Sequence, residues 1–317
     1  MRRLNYEKND LGYSFAIATT VMVAASLVLG LIFGVSPKGF YFWLMQALYA
    51  LLIGSSAVLY AAISKTNFLS ATKLNKRPIL SHVLWGCGAV VFLICYMSQI
   101  NNLFLDLIEK LGLNRPSVEL EDNVVGLILC ACILPALTEE VVFRGTVAQS
   151  LYGCKSKLAA LCISGALFSV FHANPAQTLH QFVLGALLTL LVFRSGSLWT
   201  GVIVHFFNNA FVVAMAYTPF GSDEYWSLTD NPKFALPIMI VGIVGFVACV
   251  IVYVKTTHSN WQKPAKVEVD ETDDETDDET DKETEQEFVI NNHKASNGAL
   301  VVGIFVCAML WVAQLLV

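Results

Sequence analysis

The chain has 317 residues, of which 56% are hydrophobic and 14% are charged, and its mean hydropathy is +0.60. Soluble globular domains average about 45–50% apolar and about 25% charged residues, so this composition excludes that class and is typical of a polytopic membrane protein. The net charge is −5, to which the acidic tract at Glu268–Glu287 contributes −12. We therefore expect the lipid bilayer as a partner and no nucleic acid.

Apolar stretches along the chain predict nine transmembrane helices, because a helix needs roughly 20 apolar residues to cross a bilayer. The predicted spans are Leu11–Val35, Phe40–Ile63, Ile79–Met97, Val124–Leu151, Leu158–Phe171, Thr178–Phe193, Leu198–Tyr217, Phe234–Val254 and Ala299–Val317. The fifth and sixth spans are short, which indicates tilt, kinks or shielding by protein. The predicted fold is an all-α polytopic membrane protein with an eight-helix core and a C-terminal helix.

Lysine and arginine residues are biased to alternate loops, and this bias sets the orientation of membrane proteins. They lie before the first span and in the second, fourth and sixth loops, at Arg2, Arg3, Lys8, Lys65, Lys73, Lys76, Arg77, Lys155, Lys157 and Arg194. The sequence therefore predicts a cell-membrane protein with a cytoplasmic N-terminus. With nine spans, the C-terminus is expected outside.

A strongly acidic tract separates the last two predicted spans. Glu268–Glu287 contains 13 acidic residues and one lysine, arranged on a DETD repeat. Such a segment has too little apolar surface to offset the entropy of ordering, and we expect it to be disordered. The predicted organisation is a membrane core over residues 1–256 with motif-bearing helices at 124–217. A disordered acidic linker at 257–298 and a C-terminal transmembrane helix at 299–317 follow.

Two adjacent glutamates, Glu139 and Glu140, lie inside the fourth predicted span. A carboxylate within a membrane costs several kcal/mol on insertion scales, so it usually marks a pathway or a reaction site. Arg144 follows Glu140 by four residues, which places the two side chains on one helix face and predicts an ion pair. One arginine cannot neutralise both glutamates, so Glu139 is left for chemistry.

Further polar residues occur in the next spans at helical spacing. Phe168 and His172 are four residues apart at the end of the fifth span, and His205 and Asn209 are four apart in the seventh. Each histidine taken alone could be a hydrogen-bonded core residue. Polar side chains facing lipid are costly, however, so we expect the whole set to converge on one interior cavity. A base, two imidazoles and an amide donor are the components of a hydrolytic site.

The order of these residues resembles a known family. Glu139-Glu140-x-x-x-Arg144, Phe168-x-x-x-His172, Phe182-x-x-Gly185 and His205-x-x-x-Asn209 are similar to its EExxxR, FxxxH, FxxG and HxxxN motifs. This is the CPBP family of CAAX proteases and bacteriocin-processing enzymes, also called the Abi or type II CAAX prenyl endopeptidase family. The resemblance covers roughly residues 124–213.

The resemblance implies an intramembrane endopeptidase acting on a peptide or membrane-protein substrate. In this interpretation Glu139 and His172 activate a water, while His205 and Asn209 stabilise the oxyanion. Glu140, Arg144 and Phe168 are expected to support the site structurally. The resemblance favours a mechanism without a metal or other cofactor.

Zinc is the alternative, since a catalytic zinc needs about three protein ligands, commonly histidine and carboxylate. His172, His205 and one glutamate could supply them, although the chain has no HExxH motif. The eight cysteines are scattered along the apolar spans and form no ligand-like cluster. We therefore expect no thiolate metal site.

Two other functional classes remain open from the sequence. A non-catalytic bacteriocin-immunity or scaffold protein could use the same cavity for binding. An ion-coupled transporter could use the two carboxylates as a proton relay. The complete motif set favours the endopeptidase.

Overall fold

The computed structural model describes residues 2–34, 36–114, 123–217, 232–261 and 279–316. These residues form helices and no β-strand, apart from one isolated bridge between Arg3 and Thr66. In chain order the α-helices are α1 (Asp10–Phe33), α2 (Phe40–Ile63), α3 (Phe68–Ala71), α4 (Leu80–Lys110), α5 (Val124–Gly126), α6 (Leu134–Val142), α7 (Lys157–Phe171), α8 (Thr178–Ser195), α9 (Leu198–Tyr217), α10 (Pro232–Thr256) and α11 (Glu279–Leu316).

In the described part of the chain, eight helical segments are long and apolar enough to cross a membrane. A ninth apolar helix, Lys157–Phe171, is shorter. Each of these segments overlaps one of the nine predicted spans, and the predicted all-α polytopic fold is confirmed. Their outer faces expose aliphatic side chains such as Val241, Val244 and Val301. Contiguous apolar surface of this kind is unusual in water and natural in lipid.

Small residues bring the membrane helices into close contact. Gly242 and Gly245 of α10 pack on Phe92 and Tyr96 of α4, and a Cβ atom at Gly242 would lie 2.8 Å from the Tyr96 Cβ. Association of helices in lipid depends on such packing, because the hydrophobic effect offers little driving force there. The glycines therefore fix how closely α10 approaches the core.

The helix that carries the two glutamates is irregular on both sides of them. The π-helical segment Leu127–Ile133 precedes α6, and a second π-helical segment, Phe143–Val147, follows it. A short 3₁₀ turn, Ala148–Leu151, ends the span. Insertions of π-helix rotate the following side chains and are frequent at functional sites. The segment Leu127–Ile133, which precedes the acidic pair, therefore affects the direction of Glu139 and Glu140.

The structure differs from the predicted linker at both ends. On the N-terminal side, Trp261 is buried and its indole nitrogen donates to the Tyr152 carbonyl at 2.9 Å. On the C-terminal side, α11 begins at Glu279, twenty residues before the predicted start at Ala299. At the N-terminal end, the Trp261 indole can be buried, whereas the acidic tract has no comparable apolar side chain. At the C-terminal end, glutamate and lysine are good helix formers, so the helix can begin within the tract. The linker residues 262–278 lie outside the described residues.

Helix α4 is also longer than the predicted span, which ended at Met97. It continues to Lys110 through a mixed polar and apolar stretch. Leu105 and Ile108 in this extension are buried against Leu315 of α11. Since only one face of the extension is apolar, a rule based on continuous hydrophobicity cannot detect it.

Candidate active site

The residues predicted to carry chemistry lie on three neighbouring helices. Glu139 and Glu140 are on α6, His172 directly follows α7, and His205 and Asn209 are on α9. Helix α7 ends because Ala173 adopts a left-handed conformation with φ 46°. The side chain of Asn174 then accepts from the Ala176 amide and starts the short turn that leads to α8. His172 is therefore held at a fixed helix end.

Glu140 and Arg144 form the predicted direct ion pair, with 2.7 Å between Arg144 Nη1 and Glu140 Oε1. Both side chains have 0% exposure, so neither can be solvated if its partner is removed. Arg144 Nη2 also donates to the Gly185 carbonyl at 3.1 Å. The pair thus ties α6 to α8, and the prediction of an ion pair is confirmed.

Glu140 has a second partner that the sequence did not indicate. His205 Nδ1 lies 2.9 Å from Glu140 Oε1. A carboxylate oxygen of an ionised pair only accepts, so the His205 Nδ1 hydrogen donates. Glu140 consequently fixes both the ring orientation and the protonated nitrogen of His205.

Phe168 fills the space between the charged pair and the histidines. The Arg144 guanidinium lies over its ring, 4.0 Å from the ring centroid. The rings of His172 and His205 meet it edge to face, with centroid separations of 4.6 and 5.9 Å. A buried aromatic ring in this position holds three functional side chains by packing.

Two glycines make room for this arrangement. A Cβ atom at Gly185 would lie 2.9 Å from Gly165 Cα and 3.1 Å from Phe168 Cδ1, so α7 and α8 could not approach as closely. A Cβ at Gly201, one turn before His205, would lie 2.6 Å from Glu140 Oε2. The glycine of the FxxG motif therefore serves helix packing, whereas Gly201 gives space to the buried carboxylate.

Glu139 is the partly accessible member of the acidic pair, with 22% of its side chain exposed. Its Oε2 atom lies 3.5 Å from His172 Nε2 and 3.9 Å from His205 Nε2. Among the described residues this oxygen has no hydrogen-bond partner. One carboxylate oxygen therefore faces the Nε2 atoms of two imidazoles from different helices.

The Nδ1 atoms of both rings are engaged in hydrogen bonds, which fixes the rings so that their Nε2 atoms face Glu139. His172 Nδ1 lies 2.8 Å from the Phe168 carbonyl, and a carbonyl only accepts, so Nδ1 carries hydrogen. His205 Nδ1 donates to Glu140 as described above. Such hydrogen bonds set the tautomer and direction of catalytic histidines.

A cavity of about 510 Å³ opens beside Glu139 and His172. Its walls come from α1, α2, the α7 end and α11, and the lining residues are Met22, Ser26, Tyr49, Glu139, Phe171, His172, Ala173, Leu310, Ala313 and Gln314. His205 and Asn209 are not among the lining residues, so the expected convergence of the whole set on one cavity holds only for Glu139 and His172. His205 reaches the site through its contact with Glu139.

Asn209 lies one turn beyond His205 and takes part in a chain of side-chain hydrogen bonds. His180 Nε2 donates to Asn208 Oδ1 at 3.1 Å, and Asn208 Nδ2 donates to Asn209 Oδ1 at 3.0 Å. Asn209 Nδ2 in turn donates to the Ala131 carbonyl at 3.2 Å. Because its oxygen is engaged, the Asn209 amide has one orientation with one N–H left over.

Residues 121–211 match the family of type II CAAX prenyl endopeptidases described as Rce1-like. The resemblance indicated by the four motifs is thereby confirmed for this segment. The chain is also 28% identical over 93 residues to a Bacillus subtilis (strain 168) protein named "Putative membrane peptidase YdiL". That alignment spans 29% of this chain and 38% of the relative, which is well under half of its length. No solved structure matches the chain.

The Rce1-like segment supplies the predicted catalytic residues, whereas most of the cavity wall lies outside it. Glu139, His172, His205 and Asn209 all fall within residues 121–211. Of the cavity lining, α1, α2 and α11 contribute residues beyond that segment. The match therefore supports a membrane CAAX-protease class, and the surrounding helices give this chain its own cavity.

A catalytic zinc would need about three suitable donor side chains. In the part of the chain that the structure describes, no group of three histidine, cysteine or carboxylate side chains is arranged to hold a metal ion. The eight cysteines form no disulfides. A metal at Glu139 would have to use His172 and His205 Nε2, which are the nitrogens that face it.

Proposed function

We propose that this protein is an intramembrane endopeptidase that hydrolyses a peptide bond with a water activated by Glu139. The observation that carries the proposal is the buried Oε2 atom of Glu139, which faces two imidazole nitrogens at 3.5 and 3.9 Å beside an open cavity. Direct hydrogen bonds are shorter than these separations. We place a water on the cavity side of these atoms, where it can hydrogen-bond to the carboxylate and to an imidazole at once.

In the proposed reaction Glu139 removes a proton from this water while its oxygen attacks the peptide carbonyl carbon. His172 Nε2 orients the water, since its Nδ1 hydrogen is committed to the Phe168 carbonyl. The carbon–nitrogen bond then breaks, and Glu139 returns the proton to the leaving amine. A positioned base that acts again as an acid in this way contributes about 10²–10⁴-fold to the rate.

The oxyanion is assigned to His205 and Asn209. His205 already donates from Nδ1 to Glu140, so it donates from Nε2 only when the ring carries both protons. The proposed oxyanion role of His205 therefore requires the doubly protonated ring. Asn209 contributes its remaining N–H without adding charge, in a water-poor site where such donors are worth most.

The proposal uses no metal or other cofactor, and zinc held by Glu139 and the two histidines is the alternative. The substrate class is a peptide or membrane-protein segment within the lipid bilayer. The proposed orientation has the N-terminus in the cytoplasm, on the basis of the lysine and arginine bias.

Asn209→Ala is expected to lower kcat by on the order of 10²–10³-fold, the usual effect of losing one oxyanion donor. KM for a membrane-embedded peptide should change little, because the interaction strengthens in the transition state. The measurement is turnover by the purified protein in detergent, with fragments identified by mass spectrometry.

The control is Asn67→Ala, which removes an asparagine hydrogen bond outside the Rce1-like segment, where Asn67 Oδ1 accepts from the Ser70 amide. Its kcat should stay near the wild-type value. A folded Asn209→Ala protein with kcat within a few-fold of wild type removes Asn209 from the oxyanion site. Absence of any fragment from the wild-type protein contradicts the proposed function itself.

A further inference from the structure

The C-terminal helix α11 forms part of the cavity beside Glu139. Leu310, Ala313 and Gln314 line the cavity together with Met22 and Tyr49. The three α11 residues follow i, i+3, i+4 spacing, so they occupy one face of the helix. Helix α11 therefore presents a continuous stripe to the reaction site.

This stripe is fixed in place by polar and apolar contacts on both sides. Trp311 Nε1 donates to Thr178 Oγ1 at 2.7 Å, at the start of α8. The Leu315 carbonyl accepts from the Asn114 amide at 3.2 Å, and its side chain is buried. Two turns before Trp311, a Cβ at Gly303 would lie 2.9 Å from the Phe15 ring of α1. These contacts hold the end of α11 against α8 and α1, while Leu310, Ala313 and Gln314 stay exposed.

The lining also has a defined chemical character. Glu139 and His172 are its ionisable groups apart from the Tyr49 phenol, and no lysine or arginine contributes. The rest is apolar or neutral, with Gln314 as an amide at the edge. A cavity of this kind favours an uncharged apolar side chain, because burying an unpaired charge is costly.

We propose that α11 is the substrate-selecting wall of the site, with Ala313 setting the size of the side chain accepted next to the scissile bond. Gln314 supplies an amide that can hydrogen-bond the peptide backbone. The proposal rests on the proposed endopeptidase function and adds a specificity element outside the Rce1-like segment. The catalytic groups and the wall thus come from different parts of the chain.

Ala313→Trp tests the wall with two membrane-embedded peptides that differ only in phenylalanine or alanine beside the scissile bond. The enlarged side chain should lower kcat/KM for the phenylalanine peptide by on the order of 10–200-fold, as pocket contacts of this size do. The alanine peptide should be cleaved at nearly the wild-type rate. The selectivity ratio is the readout, since a general loss of folding lowers both rates equally.

The matched control is Val312→Trp. Val312 is the preceding residue on α11, is 44% exposed and is not among the cavity lining. It should leave the selectivity ratio unchanged. An equal change of the ratio in both variants, or none in Ala313→Trp, overturns the proposal.

A crosslinking experiment tests substrate contact with α11 independently of peptide hydrolysis. A photo-crosslinking amino acid is placed at position 313 or 312 in the Glu139→Gln protein, and the phenylalanine peptide is added. Crosslinking at 313 but not at 312 is expected. Crosslinking at both positions or at neither refutes the wall, whatever the turnover assay shows. Crosslinking at 313 alone in a protein whose wild type cleaves no peptide supports the wall and contradicts the proposed hydrolysis.

Discussion

Cleavage of a membrane-embedded peptide is expected to fall by at least about 10²–10⁴-fold in Glu139→Gln, the range for losing a positioned general base. Glutamine keeps the size of the side chain and its ability to hydrogen-bond, yet it cannot accept the proton from water. Since Glu140 and Arg144 hold the helix independently of Glu139, folding and peptide binding should persist. Turnover and peptide affinity are measured on the same purified protein.

Glu7→Gln is the matched control, because Glu7 is an exposed carboxylate in a weak ion pair with Arg3 at 3.7 Å. Exposed pairs of this kind contribute little to stability. Wild-type turnover is expected from the control. Should Glu139→Gln retain wild-type function in cells, the non-catalytic immunity or scaffold interpretation would replace the endopeptidase.

Arg144→Ala is expected to reduce stability by roughly 3–5 kcal/mol, the cost of leaving a buried charge without its partner. Glu140 has 0% exposure and cannot be solvated once the guanidinium is gone. The variant also loses the contact with the Phe168 ring and the hydrogen bond to the Gly185 carbonyl. Thermal unfolding in detergent and the yield of folded protein are the measurements.

The double variant Glu140→Gln/Arg144→Ala tests whether the unpaired Glu140 carboxylate causes the loss of stability in Arg144→Ala. It removes the unpaired carboxylate, so it should unfold at a higher temperature than Arg144→Ala, while peptide turnover stays low because a neutral amide replaces the charged partner of His205. A double-mutant comparison of this type isolates the coupling between the two residues. Equal unfolding temperatures for the single variant and the wild type contradict the buried ion pair.

Local spacing explains which parts of the site could be predicted from the sequence. Glu140 and Arg144 are one helical turn apart, so their contact depends only on helix geometry. The eight long apolar helices and the shorter helix Lys157–Phe171 could be predicted from the lengths of apolar stretches. The convergence of Glu139 with His172 could be inferred because buried polar groups need partners, although their distance could not.

Contacts between distant segments could not be predicted. The bond from His205 to Glu140 requires α9 to approach α6, and that approach depends on Gly201, whose role appears only once the two helices are packed. His180 was also missed, since nothing in its local sequence pairs it with Asn208.

The sequence also did not predict that α11 lines the cavity, or that it begins at Glu279. A hydropathy pattern identifies a spanning helix but carries no information on its neighbours. The acidic composition that predicts disorder also contains good helix formers, so it does not set the helix boundary.

The most direct test of the account is turnover of a membrane-embedded peptide by the wild-type protein in detergent, measured with and without a metal chelator. If Glu139 activates water without a metal, the rate should be unchanged in the presence of the chelator, and the fragments should show hydrolysis of a single peptide bond. Loss of cleavage in the chelator and its recovery on adding zinc would contradict the metal-free glutamate mechanism and assign the facing nitrogens of His172 and His205 to a metal.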